Sequence, residues 1–171
     1  MSLCDVLCFK CLVAVGVWNL GEASFANLST LENLESLNLT ASGVGEAEMQ
    51  HVARLTSLKT LILAENEDIT DACLGYIQSL ESLTSLDLRD CPQITNSGVA
   101  TLRTLTALED LAFLRNRHLT DTVFDALAHL PLKRLKISGN SNVTGTGLGN
   151  LQALTGLELG GCASLSEEGV L

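Results

Sequence analysis

Cysteine is the residue type in this chain with the most potential for metal or redox chemistry, and three of the six cysteines are clustered. Cys4, Cys8 and Cys11 are spaced CxxxCxxC, and three thiolates at this spacing can ligate an iron–sulfur cluster in a loop. The residues after Cys11 follow a repeat pattern instead of a cluster-binding fold. We therefore favour a Cys-containing leader over residues 1–9 that holds no metal and no cofactor.

The three histidines do not pair with a nucleophile. His51 and His129 fall on predicted helices, and His118 lies in a turn. Nucleophilic catalysis needs a base within hydrogen-bonding reach, and no pattern in the sequence brings such a pair together. The chain also has no phosphate-binding loop, HExxH or paired-cysteine zinc signature. The sequence therefore predicts a protein that is not an enzyme and has no catalytic residues.

The elements that would position these side chains repeat with a period of about 24 residues, which is typical of a solenoid. The repeat begins with a leucine, at Leu34, Leu58, Leu83, Leu108, Leu132 and Leu154. Three and five residues later stand two apolar residues that alternate with their neighbours, as in a short strand with one buried face. These pairs are Leu37/Leu39, Leu61/Leu63, Leu86/Leu88, Leu111/Phe113, Leu135/Ile137 and Leu157/Leu159.

A second column lies eight residues after each leading leucine, and we name it the Asn/Cys ladder: Ser42, Asn66, Cys91, Asn116, Asn140 and Cys162. A buried Asn can satisfy backbone groups through both ends of its amide. Cys is a small buried side chain with a weak donor. The alternative, that Cys91 and Cys162 are nucleophiles or metal ligands, is not favoured because no two central cysteines show metal-ligand spacing.

After the ladder the apolar spacing becomes helical, as at Val99, Leu102 and Leu105. The same stripe recurs at Leu74, Ile77, Leu80, Phe124, Leu127 and Leu130. An N-cap acceptor is expected at Thr70, Thr95, Thr120, Thr144 and Ser166. One strand and one helix cannot bury an apolar face alone, so stacked copies predict a concave parallel sheet with short helices on the convex side.

The segment from Leu83 to Ile94 resembles LxxLxLxx(N/C)xL, the pattern of the leucine-rich repeat. An Ile-Thr-Asp-like segment follows in successive repeats, at 69–71, 94–96, 119–121, 143–145 and 165–167, which makes the cysteine-containing subtype the most similar. The resemblance covers about residues 13–171. It implies an α/β fold, a right-handed horseshoe solenoid, and a role in protein binding. In that subtype the role is often substrate recognition for a ubiquitin ligase, but no F-box-like helical module precedes the repeats here.

The two ends of the chain depart from the regular repeat. A degenerate repeat is expected to start near Lys10, with Val13 and Val15 as its inward strand pair and Trp18 at the ladder position. The domain would then span residues 10–171, about six repeats, with the last one incomplete at Val170–Leu171. Solenoids normally close with polar-faced terminal repeats. Self-association through uncapped ends is therefore the alternative to partner binding.

Composition narrows the kind of partner and compartment. A net charge of −10 disfavours nucleic acid, because phosphate binding needs clustered Lys and Arg. No apolar run is long enough to cross a membrane. Six cysteines without a compact disulfide-like arrangement favour a cytoplasmic location. The sequons at Asn27, Asn38 and Asn142 leave secretion open.

Partner choice should depend on the solvent-facing residues of the concave sheet. Ile62, Ala64, Ala112 and Leu114 interrupt a polar surface, and apolar anchors flanked by Arg are typical of an interface centre. The predicted partner-binding residues are Ile62, Ala64, Asp87, Arg89, Ala112, Leu114, Arg115, Lys133, Arg134 and Lys136. The basic members among them would meet an acidic partner segment. The alternative is cross-strand charge pairing, as between Glu109 and Lys133, which keeps an exposed sheet in solution.

Overall fold

Seven short parallel strands form one sheet in the computed structural model, which describes residues 10–17, 21–162 and 164–165. The strands lie side by side in chain order, so each pairs only with its sequence neighbours. They are β1 (Cys11–Val13), β2 (Ser36–Asn38), β3 (Thr60–Ile62), β4 (Ser85–Asp87), β5 (Asp110–Ala112), β6 (Arg134–Lys136) and β7 (Gly156–Glu158). The middle residue of every strand pairs with the middle residue of the next, as Leu61 does with Leu86.

Short helices connect the first strands and shrink towards the end of the chain. They are α1 (Glu22–Leu28), α2 (Glu46–Val52), α3 (Asp71–Tyr76), α4 (Asn96–Thr101) and α5 (Thr122–Leu127). Between β6 and β7 a single 3-10 turn, Leu148–Asn150, replaces the expected helix. Gly145 and Gly147 lie there with φ of 93° and 95°, outside the helical region. None of the described helices has the length and apolar character needed to cross a membrane.

One continuous core lies between the sheet and the helices. The inward strand residues and the predicted helix stripe are buried together, from Phe25 and Leu34 in the first repeats to Ile137 and Val143 in the sixth. The opposite face of the sheet carries no helix in the described part of the chain. The predicted fold class is therefore confirmed: strands on the concave side and short helices on the convex side of a solenoid.

The first repeat lies one residue out of the predicted register. Leu12, not Val13, pairs with Leu37, which is 25 residues further on. The N-caps of α1 and α2, Gly21 and Gly45, are 24 residues apart. The strand and helix of the first repeat are therefore separated by one extra residue, and a one-residue slip turns every side chain to the other face of a strand.

As a result, Leu12 and Ala14 pack against the core, while Val13 and Val15 are 62% and 52% exposed. The expectation that Val13 and Val15 face inward was wrong. The leader over residues 1–9, Trp18, Ser166 and the predicted chain end at Val170–Leu171 lie outside the described residues.

The threonines expected to cap helices mostly bind the preceding repeat instead. Thr95 does accept a hydrogen bond from Ser97 N at 3.2 Å, as predicted. Its own N and Oγ1 donate to the Asp71 carboxylate at 2.8 and 2.6 Å. Thr144 makes the same contact with Asp121. Thr120 N likewise donates to Asn96 Oδ1, but Thr120 Oγ1 accepts from Asn96 Nδ2. The side chain of Thr70 makes no cap hydrogen bond, and Asp121 is the N-cap residue of α5.

Close packing of consecutive helices depends on a glycine at this contact. A Cβ atom at Gly98 would lie 2.2 Å from Asp71 Oδ1 and 3.1 Å from Asp71 Cα. Gly75, in the neighbouring helix α3, has nothing within 4 Å of the same position. We expect Gly98→Ala to lower the free energy of unfolding by about 2 kcal/mol, because the carboxylate must leave Thr95.

The matched change Gly75→Ala should raise the free energy of unfolding by about 0.5–1 kcal/mol, since it only removes backbone entropy from the unfolded chain. Urea denaturation of the two variants measures both values. Equal effects of the two substitutions would contradict the proposed packing of Asp71 against Gly98.

Candidate functional site

The Asn/Cys ladder is buried and binds each repeat to the one before it. Every ladder side chain donates to the carbonyl of the second inward residue of the preceding strand. The donor–acceptor pairs are Ser42–Ala14, Asn66–Leu39, Cys91–Leu63, Asn116–Leu88, Asn140–Phe113 and Cys162–Ile137. These contacts fix the spacing of the repeats and with it the positions of the side chains on the concave face.

Cys91 has the environment of a structural thiol. It is fully buried, and its Sγ lies 3.3 Å from the Leu63 carbonyl oxygen. Burial raises the pKa of Cys91 to about 12, so the thiolate that would act as a nucleophile or metal ligand is not formed near neutral pH. In the described part of the chain no three His, Cys, Asp or Glu side chains are grouped to hold a metal ion. Cys4 and Cys8 lie outside that part.

The concave face is a grid of solvent-facing residues, three from each strand and the turn after it. Ile62 and Leu114 are half-buried in this grid, and Arg115 and Lys136 are exposed. Ala64 and Ala112 were expected to be open to a partner, but they are only 1% and 9% exposed. A methyl group is too short to rise above the longer side chains of the flanking strands. The two alanines therefore form the floor of the surface.

Every basic residue of the predicted partner-binding set forms an ion pair. Arg89 binds Asp87 of its own repeat, with Nη2 2.6 Å from Oδ2, and the other four bind acidic residues of adjacent repeats. Those four pairs are Arg115–Asp90, Lys133–Glu109, Arg134–Asp110 and Lys136–Glu158, at 2.5–2.7 Å. The expected cross-strand charge pairing of Glu109 and Asp110 is present. The basic patch is therefore balanced by neighbouring carboxylates rather than open.

Asp90 and Arg115 form their pair from an unusual backbone conformation. Both have positive φ, 55° and 58°, and they occupy the position immediately before the ladder residue. Ala41 and Glu65 share this left-handed conformation in the two preceding repeats. Non-glycine residues rarely adopt it. The turn holds the side chains of Glu65, Asp90 and Arg115 in one row along the margin of the sheet.

A concavity above Ala112 was not predicted from the sequence. We name it the Ala112 pocket; its volume is about 290 Å³, and it is lined by Ser85, Asp87, Arg89, Asp110, Arg134 and Lys136. It exists because a single alanine lies among long charged side chains. In the sequence, only the alternation of small and large residues across β4, β5 and β6 could have indicated this pocket. The depth of the pocket depends on how the flanking side chains fold.

A second concavity, the first-repeat groove, is almost wholly apolar. Leu12, Ala14, Phe25, Leu28 and Leu31 line it, and its volume is about 330 Å³. It lies between β1 and α1, where the core of the solenoid reaches the first described repeat. The sequence pattern did not reveal this groove, because the predicted register placed Val13 and Val15 in the core instead of Leu12 and Ala14.

The comparisons with known proteins agree with this geometry. The family model described as "Leucine Rich repeat" matches residues 79–102, a stretch that includes β4 and α4. The chain has the leucine-rich-repeat fold. No curated protein sequence matches it significantly. Leucine-rich-repeat proteins are typically non-enzymatic binding modules, and the fold generally mediates protein–protein interaction.

Solved leucine-rich-repeat structures cover most of the chain. TLR13, solved as a TLR13–ssRNA13 complex, is 25% identical with a TM-score of 0.62, over 81% of this chain and 20% of that chain. Internalin inlF from Listeria monocytogenes str. 4b F2365 is 19% identical with a TM-score of 0.52, over 94% of this chain and 63% of that one. Internalin C2 from the same strain is 23% identical with a TM-score of 0.62, over 88% and 80%. The likeness to the two internalins shows the fold alone, and this chain spans only a fifth of TLR13.

Glu35, at the margin of the concave face, gives the surface a measurable pH dependence. Its carboxylate accepts hydrogen bonds from Lys10 Nζ at 2.8 Å and Lys59 Nζ at 2.9 Å. The hydrogen bond from Lys10, followed by that from Lys59, lowers the pKa of Glu35 from 4.5 to about 2. A carboxylate with a lowered pKa in the folded state stabilises the fold above its ordinary pKa of 4.5, and this contribution is lost as the pH falls towards 2.

We therefore expect the stability difference between wild type and Glu35→Gln to be largest above about pH 5 and to shrink as the pH falls to about 2. Urea denaturation across this range measures it. Glu32→Gln is the control, since Glu32 forms no ion pair within the described part of the chain. A difference between wild type and Glu35→Gln that stays constant with pH would show that Lys10 and Lys59 do not hold the carboxylate in solution.

Proposed function

We propose that this leucine-rich-repeat solenoid binds a partner protein on its concave sheet. The observation that carries the proposal is the open face of seven paired strands, on which Ile62 and Leu114 lie half-buried among paired charges. The predicted role for Ala64 and Ala112 changes: they shape the floor, and their neighbours would make the contacts.

The paired charges support binding rather than oppose it. Exposed ion pairs contribute only about 0–1 kcal/mol each, so Arg134 or Lys136 can exchange its carboxylate for one on a partner at little cost. Charged pairs around a small apolar centre also favour a specific partner over a nonspecific one. That the partner is a protein and not a nucleic acid stays a prediction, supported by the net charge of −10.

The test is affinity capture from the native cell followed by mass spectrometry, with wild type beside the double variant Ile62→Glu/Leu114→Glu. Both side chains lie on the concave face, so we expect the variant to fold and to lose the partner. A matched control, Ala72→Glu/Ala100→Glu, adds the same two charges to exposed positions on the convex helices α3 and α4.

Circular dichroism checks that all three proteins are folded. A protein captured by wild type and by the convex variant, but not by the concave variant, supports the proposal and names the partner. Equal capture by all three contradicts it. An RNA recovered with wild type and the convex variant, but not with the concave variant, would support the concave face as the binding site and show that the partner is RNA instead of a protein.

The second candidate is a self-assembling repeat unit. The first-repeat groove favours it, because Leu12, Leu28 and Leu31 are only partly buried and offer an apolar surface to a further repeat. In this case capture would recover only further copies of the chain, and the concave variant would behave as wild type does. Light scattering of the purified chain would then give a mass above that of one copy.

We further propose that the protein belongs to the cysteine-containing subtype and is located in the cytoplasm. Cys91 and Cys162 in the ladder support the subtype, while Asn occupies three other ladder positions. The substrate-recognition role in a ubiquitin ligase rests on that resemblance alone. Cys11, Cys73, Cys91 and Cys162 are free thiols, which fits a reducing compartment.

A further inference from the structure

The Ala112 pocket is lined by more cations than carboxylates, although the protein as a whole is strongly acidic. Three cationic side chains, Arg89, Arg134 and Lys136, and two carboxylates, Asp87 and Asp110, line it. The charge of its lining is therefore +1, whereas that of the whole chain is −10. Charge complementarity favours an anionic group at this point of the face.

Spare donors surround the floor of the pocket. Arg134 uses Nη2 on Asp110 Oδ2, and Arg89 uses Nε and Nη2 on Asp87. Each guanidinium has five N–H donors, so both keep donors for a ligand. Among the described residues Lys136 forms an ion pair only with Glu158, an exposed residue on strand β7, and 47% of the Lys136 side chain is exposed. All three cationic residues line the pocket together with Ala112.

One polar atom of the pocket accepts nothing. Asp110 Oδ1 is shielded from solvent and has no hydrogen-bond partner within the described residues, although Oδ2 of the same carboxylate binds Arg134. Once the long side chains around it move aside to bind a ligand, a main-chain N–H of a bound segment would satisfy this oxygen. A ligand with a carboxylate for the cations and an N–H for Asp110 has the chemistry of an acidic residue within a polypeptide.

We propose that the Ala112 pocket receives the side-chain carboxylate of an Asp or Glu residue of the partner protein. The proposal rests on the proposed function and specifies its partner. The volume of about 290 Å³ lies just below the range of small-molecule sites, roughly 300–1,000 Å³, which suits one side chain better than a cofactor. Half-buried Leu114 follows Ala112 on the same face and would contact an apolar neighbour of the acidic residue.

The test uses a small probe and does not depend on knowing the partner. N-acetyl-glutamate methylamide is titrated into the full chain while the methyl resonance of Ala112 is followed by NMR. N-acetyl-glutamine methylamide is the matched control, since it differs only in the charge and one acceptor atom. We expect a saturable shift with a dissociation constant in the millimolar range, roughly 1–50 mM, for the glutamate probe, and binding at least about threefold weaker for the glutamine probe.

Two variants separate the pocket from general attraction. Lys136→Met should weaken binding of the glutamate probe at least about threefold. Lys59→Met, which changes a lysine next to β3 and outside the pocket, should leave the affinity for this probe within about twofold of wild type. Ala112→Leu fills the floor and should abolish the response, read from the amide resonances of Asp110 and Lys136.

Equal shifts with both probes would overturn the assignment of a carboxylate, and no saturable shift up to about 50 mM would overturn the pocket itself. Equal weakening by Lys136→Met and Lys59→Met would reduce the effect to nonspecific charge attraction and would also overturn the proposal. A negative NMR result would exclude the pocket but not the rest of the concave face as a binding site. The capture experiment tests the concave face, and it contradicts the proposed function only if the double variant still captures the partner. The two failures are therefore distinguishable.

Discussion

The hydrogen bond from each buried ladder side chain to the carbonyl of the preceding repeat is the contact on which the rest of the structure depends. It occurs at the end of a three-residue strand, where the backbone turns away from the sheet and a carbonyl needs a donor. Serine, asparagine and cysteine all supply that donor at the same place. Because the contact repeats in register, seven leucine strand centres align and the concave grid follows from them.

A second set of contacts holds the repeats together on the convex side. The carboxylate of Asp71 and that of Asp121, with the amide of Asn96 between them, each bind the backbone and hydroxyl of a threonine in the next repeat. Every middle repeat is thus attached to its neighbour near the end of the strand and near the start of the helix. Nearest-neighbour attachment of this kind is what stabilises a repeat array. Because these contacts fix the strand register, the concave face can carry a single alanine among long charged residues without a shift of the strands.

Much of this could be predicted from the sequence because the information is periodic. The leucine columns give the strand register, and the ladder column gives the buried polar residues, since both recur in every repeat. The pairing of Glu109 with Lys133 and of Asp110 with Arg134 also follows from the register. The roles of the threonines do not follow from the pattern, since the Thr95 hydroxyl serves both as an N-cap and as a donor to Asp71. A column of threonines does not reveal which of these roles each member takes.

The remaining features depend on single residues that periodicity does not describe. One extra residue between β1 and α1 moved Val13 and Val15 to the outer face, and the helical pattern alone could not locate it. The burial of Ala64 and Ala112 depends on the length of their neighbours rather than on their own type. The depth of the Ala112 pocket depends on how Arg89 folds back onto Asp87. These are three-dimensional consequences of local side-chain packing.

The most direct test of the central contact is amide hydrogen exchange and urea denaturation of Asn66→Ala. Asn66 Oδ1 accepts from Ser42 N and Val44 N, and its Nδ2 donates to the carbonyl of Leu39. We predict that the variant loses about 3 kcal/mol of unfolding free energy and that the amides of Ser42 and Val44 lose protection. The control Asn142→Ala removes an exposed asparagine with one hydrogen bond, to the Arg117 carbonyl, and should stay within about 0.5 kcal/mol of wild type. Equal stability of the two variants, with Ser42 and Val44 still protected, would contradict the claim that the ladder holds the repeats together.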